Sequence, residues 1–208
     1  DRIRTLLEPE NKWTLEKMKG LINDCRSETD EQLLNEWEEI FSQSQLKPDD
    51  RLAKLKPMLE WNGEYNPELV GPTLFNRILY HSMRLAMEDE LGHELFKLYL
   101  NTHQFQRSIR VLNNYPDSPW WDNIHTTTME SRKDILVAAF NATFEELENA
   151  FGSNPEHWTW GKSASLELKH PLGEVAMLRP LFSIGKRPVW GGNETIHQAG
   201  FYLDSTVY

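Results

Sequence analysis

Apolar residues recur at helical spacing through the first two thirds of the chain. The segment from Trp13 to Cys25 carries Leu15, Met18, Leu21, Ile22 and Cys25 on one predicted helical face. A second helix is expected from Ser27, which has the capping-box spacing to Asp30, with Leu33, Leu34, Trp37, Ile40 and Phe41 as its apolar stripe. Pro48-Asp49 reads as the opening of a short helix with Leu52, Leu55 and Leu59. Asn66-Pro67-Glu68 reads as another start, with Asn capping, Pro at the first helical position and Glu at the positive end of the dipole. Leu69, Val70, Leu74, Phe75, Ile78, Leu79 and Met83 follow. Beyond Gly92 come two further stripes, Leu95-Phe96-Tyr99 and Phe105-Ile109-Leu112. The two prolines of YPDSPWWD, Tyr115 to Asp122, demand a loop. Thr127 and Glu130 predict a capping box for a long helix through Ile135, Leu136, Ala139, Phe140, Phe144 and Leu147, ending near Phe151-Gly152.

The pattern then changes. Seven of the eleven glycines lie in the last 57 residues. Leu166 and Leu168 alternate with Glu167 and Lys169, a strand-like period of two, and Gly191-Gly192 marks a turn. Phe201 to Tyr208 reads as a final strand cut mid-run, which points to a fragment whose free edge could pair with a second copy. The expected class is mainly α with a short C-terminal β region, divided into a helical subdomain, residues 1–152, and a Gly/Pro-rich β region, residues 153–208. There is no internal repeat and no low-complexity tract.

Composition narrows the function classes. The chain has 208 residues, 39% of them hydrophobic, enough for a real core. A net charge of -10 and a pI near 5.2 weigh against nucleic acid and against an anionic membrane surface. No apolar run reaches the roughly 20 residues of a membrane helix, and no basic stretch with an apolar core reads as a signal peptide. Cys25 is the single cysteine, so no internal disulfide or thiolate cluster is expected, and it reads as a buried structural thiol.

Candidate chemistry is sparse. The seven histidines form neither HxH nor HExxH. His93 and His103 stand ten residues apart and His157 and His170 thirteen, so a metal site is not expected. His170, before Pro171, is expected to be extended and to hydrogen-bond a turn. Glu38-Glu39, Glu88-Asp89-Glu90 and Glu145-Glu146 are sequence neighbours, which point apart on a helix, so they read as solvated faces rather than converging dyads. Ser163 and Ser165 have no identifiable base, and KRPVWGGNET lacks the context of a phosphate loop. Trp120, Trp121, Trp158 and Trp160 leave two readings open. They lock loops onto helices, or they form a platform for glycans or a protein partner in a stand-alone binding module.

The linear order of motifs resembles the penicillin acylase (penicillin amidase) family of N-terminal-nucleophile hydrolases. Trp13, Met18, Leu21, Asp24, Ser27 and Leu33-Leu34 match one family segment; Leu59, Trp61, Gly63, Leu74 and Phe75 match the next. SPWWDN at Ser118 to Asn123 is similar to the family's SxWWDD, WGKSASLELKHPLG to its WG and HPL run, and RPVWGGNET to its GG turn. The chain departs at Asn62, at Asn193 and at Ala164, which stands where the family often has His. The resemblance implies a larger αββα enzyme, made as a self-cleaving precursor, that hydrolyses N-acyl amides such as β-lactam side chains or acyl-homoserine lactones. Its nucleophile would be a Ser at the start of the second chain, activated by its own α-amine. That Ser, the oxyanion donors and the calcium ligands of the family lie upstream of the matched segment. The resemblance therefore implies a scaffold piece of the second chain, with no catalytic, cofactor-binding or metal residues of its own. Its partner would be the remainder of the acylase, in the periplasm or outside the cell.

Overall fold

A computed structural model describes residues 2–9, 12–43, 50–102 and 104–198. Its elements, in order, are α1 (Arg2–Leu7), α2 (Leu15–Ile22), α3 (Glu28–Gln43), α4 (Asp50–Leu59), α5 (Gly71–Leu91), α6 (His93–Leu100), α7 (Gln104–Asn113), α8 (Arg132–Phe151), α9 (Trp160–Ser163), β1 (Ser165–Leu168), α10 (Arg179–Phe182) and β2 (Ile184–Pro188). The described residues are mainly helical, with one small antiparallel sheet among them, formed by β1 and β2.

Helix α5 is the axis of the fold. Its residues from Gly71 to Leu79 are all buried, as are His81, Ser82, Met83, Ala86 and Met87, because neighbours cover it on several sides. Its most extensive partner is α8, which presents Ile135, Leu136, Ala139, Phe140, Phe144 and Leu147. Helix α3 adds Leu33, Leu34, Trp37 and Phe41, and α4 adds Leu55 and Met58. Rings knit the layers together: Trp37 and Trp61 both lie against Phe75, at 5.4 and 5.3 Å between centroids, and Phe41 meets Phe140 at 5.9 Å. Such tilted pairs add to the apolar area they bury. At the start of α5 the chain needs glycine. A Cβ on Gly71 would sit 2.7 Å from both the Pro57 carbonyl oxygen and Trp61 Cβ.

Several starts differ from the sequence expectation. Asn66 closes a turn, its side chain accepting from Glu68 N at 3.0 Å, and α5 begins only at Gly71, with Pro72 in its first turn. The Asn-Pro-Glu pattern is a local turn followed by the helix four residues later. The capping box of α8 is Ser131 with Asp134, not Thr127 with Glu130, because Glu130 is drawn back to Asn123 N and Thr126. Ser27 does cap α3, accepting from Asp30 N at 3.1 Å. Pro48 and Asp49 lie outside the described residues, as does the expected strand Phe201 to Tyr208.

The largest departure is α2. Its expected inward face is exposed: Leu15, Met18 and Ile22 are 70%, 42% and 57% accessible. Cys25 is not on that face at all. It lies in the connector after α2 and is half-buried against the core. The sequence period correctly marks an amphipathic helix, but not what that helix faces.

Candidate functional site

The four tryptophans proposed as a platform do not form one. Ser118 caps a 3-10 turn, Pro119–Trp121, which turns Trp121 inward to donate to the Tyr115 carbonyl at 2.9 Å and leaves Trp120 outside. Trp158 is fully buried against Phe144, and its Nε1 donates to the Gly152 carbonyl at 2.8 Å. Trp160 is buried too and donates to the Gly191 carbonyl at 3.1 Å. Stacking on a glycan needs an exposed ring face, and only Trp120 offers one. The platform reading is thereby corrected: three of these rings pin loops to the helical core.

The other candidates resolve similarly. His170 Nδ1 accepts from Leu172 N at 3.1 Å, the turn contact its sequence position implies, and its ring stacks on Phe182. His93 Nδ1 lies 2.7 Å from Glu88 Oε1. His157 is exposed, and His103 is outside the described residues. Ser163 Oγ faces Thr73 Oγ1 at 3.3 Å, and neither group is a base. Ser165 lies in β1. Burial, then the charges of Glu64 and Asp24, push the Cys25 thiol up, which disfavours the reactive thiolate. Among the described residues no three His, Cys, Asp or Glu side chains converge on a metal position, so these residues do not offer the carboxylate set that calcium takes.

Two of the acidic runs are not merely solvated faces. Glu38 and Glu39 are exposed as expected. Glu90 is exposed, yet its carboxyl is pushed up to about 7 by desolvation and by the neighbouring Asp89 carboxyl. The loop after Trp121 folds back on the end of α5. Asp89 accepts from Ile124 N at 2.8 Å, and Asp122 accepts from Glu130 N at 2.9 Å. Glu146 is drawn inward. Arg77 Nε donates to its Oε2 at 2.9 Å and Arg77 Nη2 reaches Oε1 at 2.7 Å, while His81 Nε2 lies 2.7 Å from Oε2. Arg77 also lies over the Tyr80 ring at 4.4 Å. Arg77 and His81, one helical turn apart in an otherwise apolar stretch, were the available sequence signal for this α5–α8 ion cluster.

A second polar cluster was not anticipated at all. Asp30, capped into the first turn of α3, is buried, and its Oδ2 accepts from the Tyr65 hydroxyl at 2.7 Å. Asn76 in turn donates to Tyr65 at 3.1 Å. Tyr65 is also the anchor of the C-terminal loop. Its carbonyl accepts from Gly191 N at 3.0 Å, its ring meets Trp160 edge-on at 5.0 Å, and a Cβ on Gly192 would stand 2.7 Å from that ring. Beside Asp30 lies a cavity of about 20 Å³ lined by Leu33, Tyr65, Asn76, Arg110, Asn193 and Glu194 among others. Burial raises the Asp30 carboxyl to about 6, with Glu194 adding to the effect and Tyr65 and Arg110 opposing it. The fold therefore favours the protonated acid. That contribution, about 3 kcal/mol between the ordinary 3.8 and about 6, is complete below pH 3.8 and is lost as pH rises through 6.

The β region carries a third feature. Leu168 pairs with Ile184 and Leu166 with Arg187, and the register shifts between Leu166 and Leu168. Both leucines point away from the core, at 53% and 52% accessible, while Ser165 and Glu167 turn partly inward. Leu172, Val175, Met177, Leu181, Phe182 and Trp190 are exposed nearby in sequence.

A helical core with buried polar clusters carries a small antiparallel sheet whose leucines face outward. The chain belongs to the penicillin amidase family, whose model matches residues 1–207. It is 27% identical over 135 residues to an acyl-homoserine lactone acylase, QuiP, of Pseudomonas aeruginosa, covering 62% of this chain and 16% of that protein. QuiP of Pseudomonas fluorescens is 24% identical over 149 residues, covering 69% and 17%, and QuiP of Pseudomonas putida 26% over 148 residues, covering 67% and 18%. The chain thus spans under a fifth of the length of these curated relatives.

Proposed function

We propose that this chain is a scaffold segment of a longer amidohydrolase that cleaves N-acyl amides, with an acyl-homoserine lactone or a related N-acyl compound as substrate. The outward leucines of the hairpin carry this reading. Two strands alone are marginally stable in water, and Leu166, Leu168 and Ile184 are all half or more exposed. The family match and the names of the relatives support amide hydrolysis as the activity of the whole protein. The nucleophile lies outside this chain in this reading. It is a Ser hydroxyl at a processed N-terminus, whose own α-amine, with a pKa of about 8, accepts the proton. The segment's role is mechanical. It holds the helical core rigid and presents the hairpin and α2 to the remainder of the acylase, in the periplasm or outside the cell. Any calcium of the parent is bound upstream.

Hydroxyl-radical footprinting of the 208-residue chain and of the longest natural chain that contains it tests the reading. Leu166, Leu168, Phe182 and Ile184 are expected to be several-fold less reactive in the longer protein. Equal reactivity in both would leave the hairpin face solvent-exposed and remove the basis of the proposal.

A further inference from the structure

The buried carboxyl of Asp30 has no countercharge of its own. Among the described residues its side chain forms no ion pair, and its hydrogen-bond partners are hydroxyls. The cation that lines the same cavity, Arg110 on α7, is held instead by Glu194 of the C-terminal loop, Nη2 to Oε2 at 2.7 Å. The charged and titratable groups facing Asp30 are therefore Tyr65 from the segment before α5, Arg110 from α7 and Glu194 from the loop. Two carboxyls, Asp30 and Glu194, and one guanidinium, Arg110, line one small cavity, and the guanidinium is held by Glu194.

We propose that Asp30, Arg110 and Glu194 form a proton-operated latch on the loop at residues 191–198. With Asp30 neutral, Arg110 belongs to Glu194 and ties the loop to α7. With Asp30 ionised, a bare carboxylate lies in a buried cavity, where an unpaired charge is strongly disfavoured. Arg110 then turns toward Asp30, and Glu194 is released to solvent, which it already reaches in part. The cavity is large enough to admit one water molecule as the charge appears. The loop is also held by the Gly191 and His197 amides, which donate to the Tyr65 and Asp24 carbonyls, and by Trp160 Nε1, which donates to the Gly191 carbonyl, while inside the loop the Gly192 amide donates to Thr195 Oγ1. These amides report the state of the latch. The direction follows from burial. The loop is held at acid pH and loosened as pH rises through about 6. This inference concerns the chain itself and stands whether or not the proposed amide hydrolysis does.

Nuclear magnetic resonance on the 208-residue chain tests it in two ways. The Asp30 carboxyl carbon is expected to titrate near 6, and the protection factors of the Gly192 and His197 amides to fall about tenfold or more between pH 5 and pH 7.5. Asp30→Asn removes the charge, and its protection factors are expected to stay constant over that range. Glu194→Gln frees Arg110 for Asp30. The Asp30 midpoint is expected to drop, and the two amides to be weakly protected at both pH values. His197→Gln separates the loop's own imidazole and is expected to leave the wild-type change in place. An Asp30 midpoint near 4, or amide protection in the wild type that is the same at both pH values, overturns the proposal. The wild-type titration and Glu194→Gln decide it even if Asp30→Asn fails to fold.

Discussion

Trp160→Ala is expected to lower stability by about 3–5 kcal/mol, the range for removing a fully buried large aromatic side chain. The residue is 1% exposed and serves three contacts at once. Its amide donates to the Leu69 carbonyl at 2.7 Å, its ring meets Tyr65, and its Nε1 donates to the Gly191 carbonyl. Alanine keeps the first contact, leaves a cavity in place of the second, and strands a buried carbonyl by losing the third. The effect spreads because Gly191 and Tyr65 together hold the C-terminal loop. Urea unfolding gives the check: the midpoint falls while the slope stays unchanged. A loss below about 1 kcal/mol would mean that the ring is dispensable packing.

Glu146→Ala is expected to cost about 3 kcal/mol, the low end for breaking a buried ion pair, since Glu146 keeps 21% of its side chain in solvent. The cost arises from what is left behind. Arg77 and His81, both buried on α5, lose their shared carboxylate. The double variant Arg77→Met with Glu146→Leu separates this cause from simple packing. It removes both charges and is expected to be more stable than Glu146→Ala alone. Additive losses in a double-mutant cycle would show that the charges are not coupled.

Much of the helical unit was legible in the sequence. Most residues named in the stripes of α3, α5, α7 and α8 are buried, because packing there follows the 3.6-residue period, but Ile40 and Val70 are only partly buried and Leu69 is exposed. The same period in α2 and the period of two in β1 gave the element type but not its surroundings. Leu15, Met18, Leu166 and Leu168 are all exposed here, since a pattern specifies an apolar face without specifying the element that meets it. Helix starts failed where a turn and a cap use the same residue types, as at Asn66 and Thr127. The buried clusters failed for a different reason. Asp30 meets Tyr65 across 35 residues, and Arg77 meets Glu146 across 69. No local spacing rule reaches that far. The motif order that resembles the penicillin acylase family was the most informative reading, and the family match over residues 1–207 agrees with it.

The central claim is that this chain supports an amide hydrolase without containing its catalytic centre. The most direct measurement is turnover of a chromogenic phenylacetyl amide and of a long-chain N-acyl amide by the purified 208-residue chain, with near-ultraviolet circular dichroism confirming that it is folded. The expected result is no turnover above a buffer blank, with hydrolysis of at least one substrate by the full-length protein under the same conditions. Turnover by the folded 208-residue chain itself would place a catalytic centre within it and contradict the claim.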